Sequence, residues 1–147
     1  MEKTIWIVLA LLAGAVLPLQ GGLNTKLGKI VESPIHASTI SFIIGALGLI
    51  IYMLITQQHA VMQNLRSAPA AVWSGGILGA FYVTIVVLAF PKLGPGLTFG
   101  LVVAGQMVIS LALEHFNILV AQQQSLSWGR IAGICVVILG VILIKKM

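Results

Sequence analysis

Residues 70–119 read AAVWSGGILGAFYVTIVVLAFPKLGPGLTFGLVVAGQMVISLALEHFNIL. Across this stretch only Lys92 and Glu114 carry a full charge. One turn signal divides it, Pro91-Lys92-Leu93-Gly94-Pro95, too short for anything but a tight turn. Each half supplies roughly the 20 apolar residues that a helix, rising 1.5 Å per residue, needs to cross a hydrocarbon layer about 30 Å thick. Neither half alternates apolar with polar residues as a membrane strand would. In lipid each segment must satisfy its own backbone polar groups, so both halves read as helices.

Working outward, three more runs have the same character, from about Thr4 to Thr25, His36 to Ile55, and Trp128 to Ile144. The expectation is an all-α membrane protein in which residues 1–147 form a single five-helix transmembrane domain. Its helices fall at about 4–25, 36–55, 70–90, 96–119 and 128–144. The breaks are Lys26 to Pro34, Thr56 to Pro69, Pro91 to Pro95, and Ala121 to Ser127. Met1-Glu2-Lys3 before an apolar run imitates a signal peptide, but no small-x-small cleavage site leads into a polar region. The first run is therefore read as a retained helix.

Composition agrees. Of 147 residues, 59% are hydrophobic and 7% charged, and the mean hydropathy is +1.11. A soluble domain carries about a quarter charged residues to wet its surface. Eleven charged side chains cannot do that here. The single cysteine, Cys135, excludes an internal disulfide and sits among Ile134, Val136 and Val137 as a small hydrophobe. The net charge of +5 does not indicate nucleic acid, because the basic residues stand singly or in pairs at the ends of apolar runs.

With five crossings the termini face opposite sides. Lys3, Arg66 and Arg130 then share the N-terminal side, three charges, against five on the other, namely Lys26, Lys29, Lys92, Lys145 and Lys146. The bias weakly favours a cytoplasmic C-terminus. It is small enough to permit dual topology, in which copies insert both ways up.

Polar residues inside membrane helices need a reason, because placing them in lipid is costly. In the first helix Pro18 removes a backbone hydrogen bond and predicts a kink, close to Gln20, Gly21, Gly22 and Asn24. One reading is a discontinuity lining a solute pathway; the other is a helix ending among interfacial residues. In the fourth helix Gln106, Ser110 and Glu114 form one stripe at spacing i, i+4, i+8. Glu114, followed by His115, is the only acid inside an expected span and the candidate for proton or ion coupling, unless it snorkels to the headgroups. Ser38, Thr39 and Ser41 in the second helix are weak signals, since hydroxyls can bond their own helix. Tyr82 lies toward the interior of the third span and fits an aromatic belt poorly, whereas Trp73 and Trp128 fit it well. Gly133 and Gly140, seven residues apart, suit close packing, within the chain or across a dimer seam.

No catalytic constellation is present. There is no aspartate; His36, His59 and His115 are scattered, and no pair has metal-ligand spacing. No phosphate-binding glycine loop occurs. Neither an enzyme, a metal nor a cofactor is expected.

Several of these segments together resemble the YdcZ-type family of the drug/metabolite transporter superfamily. They are Pro18 to Gly28, with Gln20 and Asn24; Ser41 to Gly45; Gly75 to Thr84, with Tyr82; Gly105-Gln106 through Glu114-His115-Phe116; and the Gly133/Gly140 spacing. The resemblance spans essentially the whole chain. It implies a five-helix half-carrier that pairs with a second copy or a homologue, often inverted, in the bacterial cytoplasmic membrane. It also raises the dimer-seam reading of Gly133 and Gly140. Small multidrug carriers of the same superfamily hold a glutamate midway along their first helix. Here that helix has no acid beyond Glu2, so their proton-for-cation mechanism does not transfer unmodified.

Pairing has a physical rationale. Five helices barely enclose a solute site with two gates, and carriers commonly build one from two inverted repeats. In one subunit Asn24 and Glu114 would lie roughly 20 Å apart in depth; in an inverted dimer they would approach each other's level. The expected function is a secondary transporter of a small polar or organic solute. Its candidate binding residues are Gln20, Asn24, Tyr82, Gln106 and Ser110. The amides suit a neutral or hydrogen-bonding ligand better than a bare cation. A small dimeric channel and a non-transporting assembly subunit are the alternatives.

Overall fold

The computed structural model of the chain describes residues 2–58, 65 and 67–146. His59 and Arg66, and with Arg66 one of the flanking charges counted above, lie outside the described residues. The elements are α1 (Glu2–Ile30), α2 (Pro34–Ile55), a short 3-10 turn (Ala70–Trp73), α3 (Ser74–His115) and α4 (Trp128–Lys146). Among the described residues, four helices are long and apolar enough to cross a membrane. The protein is thus all-helical, as a membrane protein of this composition must be.

The first helix is longer than the sequence suggests, running past Thr25 to Ile30. The residues expected to end it are instead buried: Gly21, Asn24, Thr25 and Gly28 all face inward. A methyl group placed on Gly28 would lie 3.5 Å from Val87 Cγ1 and 3.6 Å from the Ala37 side chain, so packing holds this last turn helical. The break before α2 shrinks to three residues, Val31 to Ser33. There Glu32 turns the chain with φ 53°. The Ser33 hydroxyl then caps α2 by accepting from the His36 N–H at 3.2 Å, with Pro34 in the first turn.

The turn expected over residues 91–95 narrows to a single residue. Helix α3 is 42 residues long, with one non-helical position, Gly94 at φ 75° and ψ 163°. Two causes meet there. Pro95 disfavours helical torsions in the residue before it, and only glycine holds this combination without strain. The Thr98 hydroxyl then donates to the Gly94 carbonyl at 2.7 Å. The segments on either side of Gly94, 74–93 and 95–115, are each about 30 Å long, the thickness of a hydrocarbon core.

Helix α3 stops at His115 rather than near Leu119. Asn117 adopts φ 54°. The Ile118 N–H reaches the Leu113 carbonyl at 2.9 Å, and that of Asn117 reaches the Glu114 carbonyl at 3.4 Å. This pair of bonds is the Schellman stop, which satisfies the last carbonyls of a helix.

The chain forms two compact units, Met1–Lys92 and Leu93–Met147. In the first, Ala37, Val83, Val86 and Val87 make the core. Gly22 accommodates the Phe90 ring and Gly79 the Phe42 ring, each within 3.6 Å of where a methyl would sit. In the second, Val141 is buried against Gly100, where a methyl would lie 3.1 Å from Val141 Cγ2. Outside these seams the apolar surface is bare. Leu11, Ile77 and Trp128 are 74%, 74% and 87% exposed, a distribution that only a lipid solvent makes stable.

Candidate functional site

In the first unit, α1 and the N-terminal half of α3 enclose a cavity of about 10 Å³, about the room that the centre of one water molecule needs. Gln20 and Asn24 reach it from one face of α1, four residues apart, and Tyr82 from α3. Leu17, Val83, Val86 and Val87 complete an apolar wall. Asn24 is only 7% exposed, and its Nδ2 has no hydrogen-bond partner among the described residues. Buried amide donors are nearly always paired, so this one is conspicuous.

Gln20 also lines an open groove of about 380 Å³ with Ser41, Phe42, Gly45, Ala46 and Leu49 of α2. The hydroxyls of α2 divide into two kinds. Those of Ser38 and Thr39 donate to the carbonyls of Pro34 and Ile35, both at 2.9 Å. Ser41, in the groove, makes no such bond among the described residues. Its hydroxyl is available in a way those of Ser38 and Thr39 are not.

The expected kink residue, Pro18, lies inside α1, which continues helical through it. The carbonyl that Pro18 leaves without its usual partner is that of Gly14. That carbonyl lies about 9 Å along the helix from Gln20. It is therefore set apart from the amides along the helix axis.

In the second unit the stripe Gln106, Ser110, Glu114 lies along α3, with Ser110 and Glu114 half-buried and Gln106 exposed. Glu114 forms an ion pair with Arg130 of α4. The segment between the helices is drawn onto the same end. Gln123 Nε2 donates to the His115 carbonyl at 2.9 Å, and the Leu126 N–H donates to His115 Nδ1 at 3.4 Å. The Gln124 N–H reaches the Glu114 carbonyl at 3.3 Å. Beneath lies an apolar pocket of about 370 Å³ lined by residues including Val108, Leu126, Ile134 and Cys135.

Of the five candidate binding residues, Gln20, Asn24 and Tyr82 meet around one cavity. Gln106 and Ser110 belong to the other unit. Sequence reasoning missed the role of Arg130. The signal was present, since Glu114 and Arg130 are opposite charges bounding one short connection between apolar runs. Ser41 stands out only by comparison with the bonded hydroxyls beside it. Methyl groups on Gly133 or Gly140 would meet nothing within 4 Å, so both glycines leave their helix surface open.

Residues 5–143 of the chain match the protein-family model described as "Putative inner membrane exporter, YdcZ". Neither the curated proteins nor the solved structures contain a match. Because the matched region takes in all four apolar helices almost entirely, the chain belongs to the YdcZ family and is a multi-pass protein of the cytoplasmic membrane.

Proposed function

We propose that the chain is half of a secondary carrier for a small polar or organic solute, completed by a second copy and working by alternating access at a central site lined from both. The observation that carries this reading is the cavity at which Gln20, Asn24 and Tyr82 converge, with a buried Asn24 amide donor that none of the described residues satisfies. A protein that only anchors or assembles has no use for an unpaired donor, whereas a solute site does.

On this reading α3 makes two crossings, separated at Gly94, which brings the total to five. An odd total suits an inverted homodimer, and the open surface at Gly133 and Gly140 supports a seam there. Gln106 and Ser110, in the second unit, remain candidate binding residues on this reading. Ion coupling is assigned to Glu114 and His115. Glu114 is the only acid beyond the first turn of any described helix, and protonating it would cancel the charge that holds Arg130.

Purified protein in liposomes tests the carrier. Saturable flux driven by a solute gradient is expected. Fast non-saturating flux indicates a channel instead, and no flux an assembly subunit. The inverted pairing is tested by cysteines at positions 24 and 114 in a Cys135→Ala background. Cross-links between chains are expected, and their absence overturns the inverted arrangement.

A further inference from the structure

The inference here rests on the carrier reading and concerns what the solute must look like. We infer that the Asn24 cavity is the donor end of the solute site. It receives the carbonyl or hydroxyl oxygen of a small uncharged solute, which reaches it past Gln20 from the groove lined by Ser41 and Gly45.

Four observations lead there. Asn24 Nδ2 is buried without a partner among the described residues, so the missing group is a hydrogen-bond acceptor. The walls beside it are Leu17, Val83, Val86 and Val87, which exclude water and strengthen any bond formed inside. The cavity, at about 10 Å³, has room for an oxygen-sized group but not for a whole solute. The groove that shares Gln20 with it, at about 380 Å³, has room for the rest. Gln20 therefore stands between the two, with its amide able to serve either, and the free Ser41 hydroxyl lies on the groove side.

Charge decides the class. The three acids of the chain are Glu2, Glu32 and Glu114, and none lines the cavity or the groove. Glu114 is already paired with Arg130. No Lys or Arg lines either space. An organic cation or a carboxylate entering here would meet no counter-charge in this lining, and the Glu114 that a second, inverted copy brings to this level arrives already paired with Arg130, which is strongly unfavourable for an ion leaving water in an apolar site. An uncharged polyol or amide exchanges its water hydrogen bonds for those of Asn24, Tyr82, Gln20 and Ser41.

The test is thermal unfolding of the full-length protein in lipid nanodiscs with four probes: xylitol, nicotinamide, tetraethylammonium and gluconate. A ligand that binds only the folded state raises the midpoint with the logarithm of its concentration. Such a rise is expected with xylitol or nicotinamide and with neither ion. Asn24→Leu and Gly45→Leu should each weaken apparent affinity at least tenfold, the first by removing the donor and the second by filling the groove. A methyl on Gly45 meets nothing within 4 Å, so a side chain can leave the backbone there without a clash at its first carbon. If Asn24→Leu does not fold, Gln20→Leu, at an exposed position, must show the same loss. In the unfolding experiment three results overturn the inference: no logarithmic rise with either neutral probe, a rise that survives Asn24→Leu or Gln20→Leu, or one that survives Gly45→Leu. Saturable liposome flux of tetraethylammonium that is insensitive to Asn24→Leu overturns it while leaving the carrier intact. Binding of xylitol without saturable flux of any solute does the reverse.

Discussion

Arg130 donates from the first turn of α4 to the carboxylate of Glu114, sixteen residues earlier on the last turn of α3. The same guanidinium reaches the Gln124 carbonyl at 3.5 Å. Cation, acid and intervening loop thus form one closed ring. Both side chains are 28% exposed, which places the pair between a screened surface bridge and a dry one.

Breaking this pair from one side should cost more than removing it whole. Arg130→Gln leaves a half-buried carboxylate uncompensated and is expected to lower stability by about 1–2 kcal/mol. The double variant Glu114→Gln/Arg130→Gln should recover part of that loss, as a double-mutant cycle of melting temperatures would show. If coupling resides at Glu114, the double variant should fold near normally yet transport without responding to a pH gradient.

Gly94→Ala places a Cβ on a backbone at φ 75°, ψ 163°, a region almost reserved for glycine. A loss of about 1–3 kcal/mol is expected. Thermal unfolding in detergent reads it directly, and Gly105→Ala serves as the control, because a methyl there meets nothing within 4 Å.

The seam between the C-terminal half of α3 and α4 has one tight point. A methyl on Gly100 would stand 3.1 Å from Val141 Cγ2. Gly100→Ala should be absorbed by a small shift of the valine. Gly100→Leu should cost about 1–3 kcal/mol through overpacking. Comparing the two melting curves separates steric clash from the general effect of losing a glycine.

Gly133→Leu and Gly140→Leu should leave the melting of the monomer unchanged, since both surfaces are open within the chain. Dimerisation, measured by light scattering in detergent or by cross-linking in membranes, should fall sharply. A normal dimer in both variants would move the seam elsewhere.

Much of this was legible in the sequence, and the parts that were not share a cause. The apolar runs, their helical character and the family resemblance follow from composition and residue order. The meeting of Gln20 and Asn24 follows from helical periodicity. The boundaries that moved are those at Thr25 and Leu119, where local signals compete with packing, while the turn signal at 91–95 does hold the break between two helical segments. Gly28 fell in the expected break before α2, yet its small size is what lets α1 fit against Ala37 and Val87 there. Pro91 and Pro95 looked like a five-residue turn, yet each tolerates helix around it and only Gly94 leaves it. The partnership of Glu114 with Arg130 needed the loop to fold back, which no periodicity describes.

The torsion at Gly94 has a further consequence, for how the chain is first threaded into lipid. A 42-residue apolar segment can be laid down as one long tilted span or as a hairpin, and the two differ in parity. Every loop and terminus after that point faces one compartment under one choice and the opposite compartment under the other. Lys92 beside the break and Lys145 and Lys146 at the far end would then report to the insertion machinery as a set. On the five-crossing proposal, the break at Gly94 is where the second of the two crossings begins, and the address of the remaining third of the polypeptide depends on it.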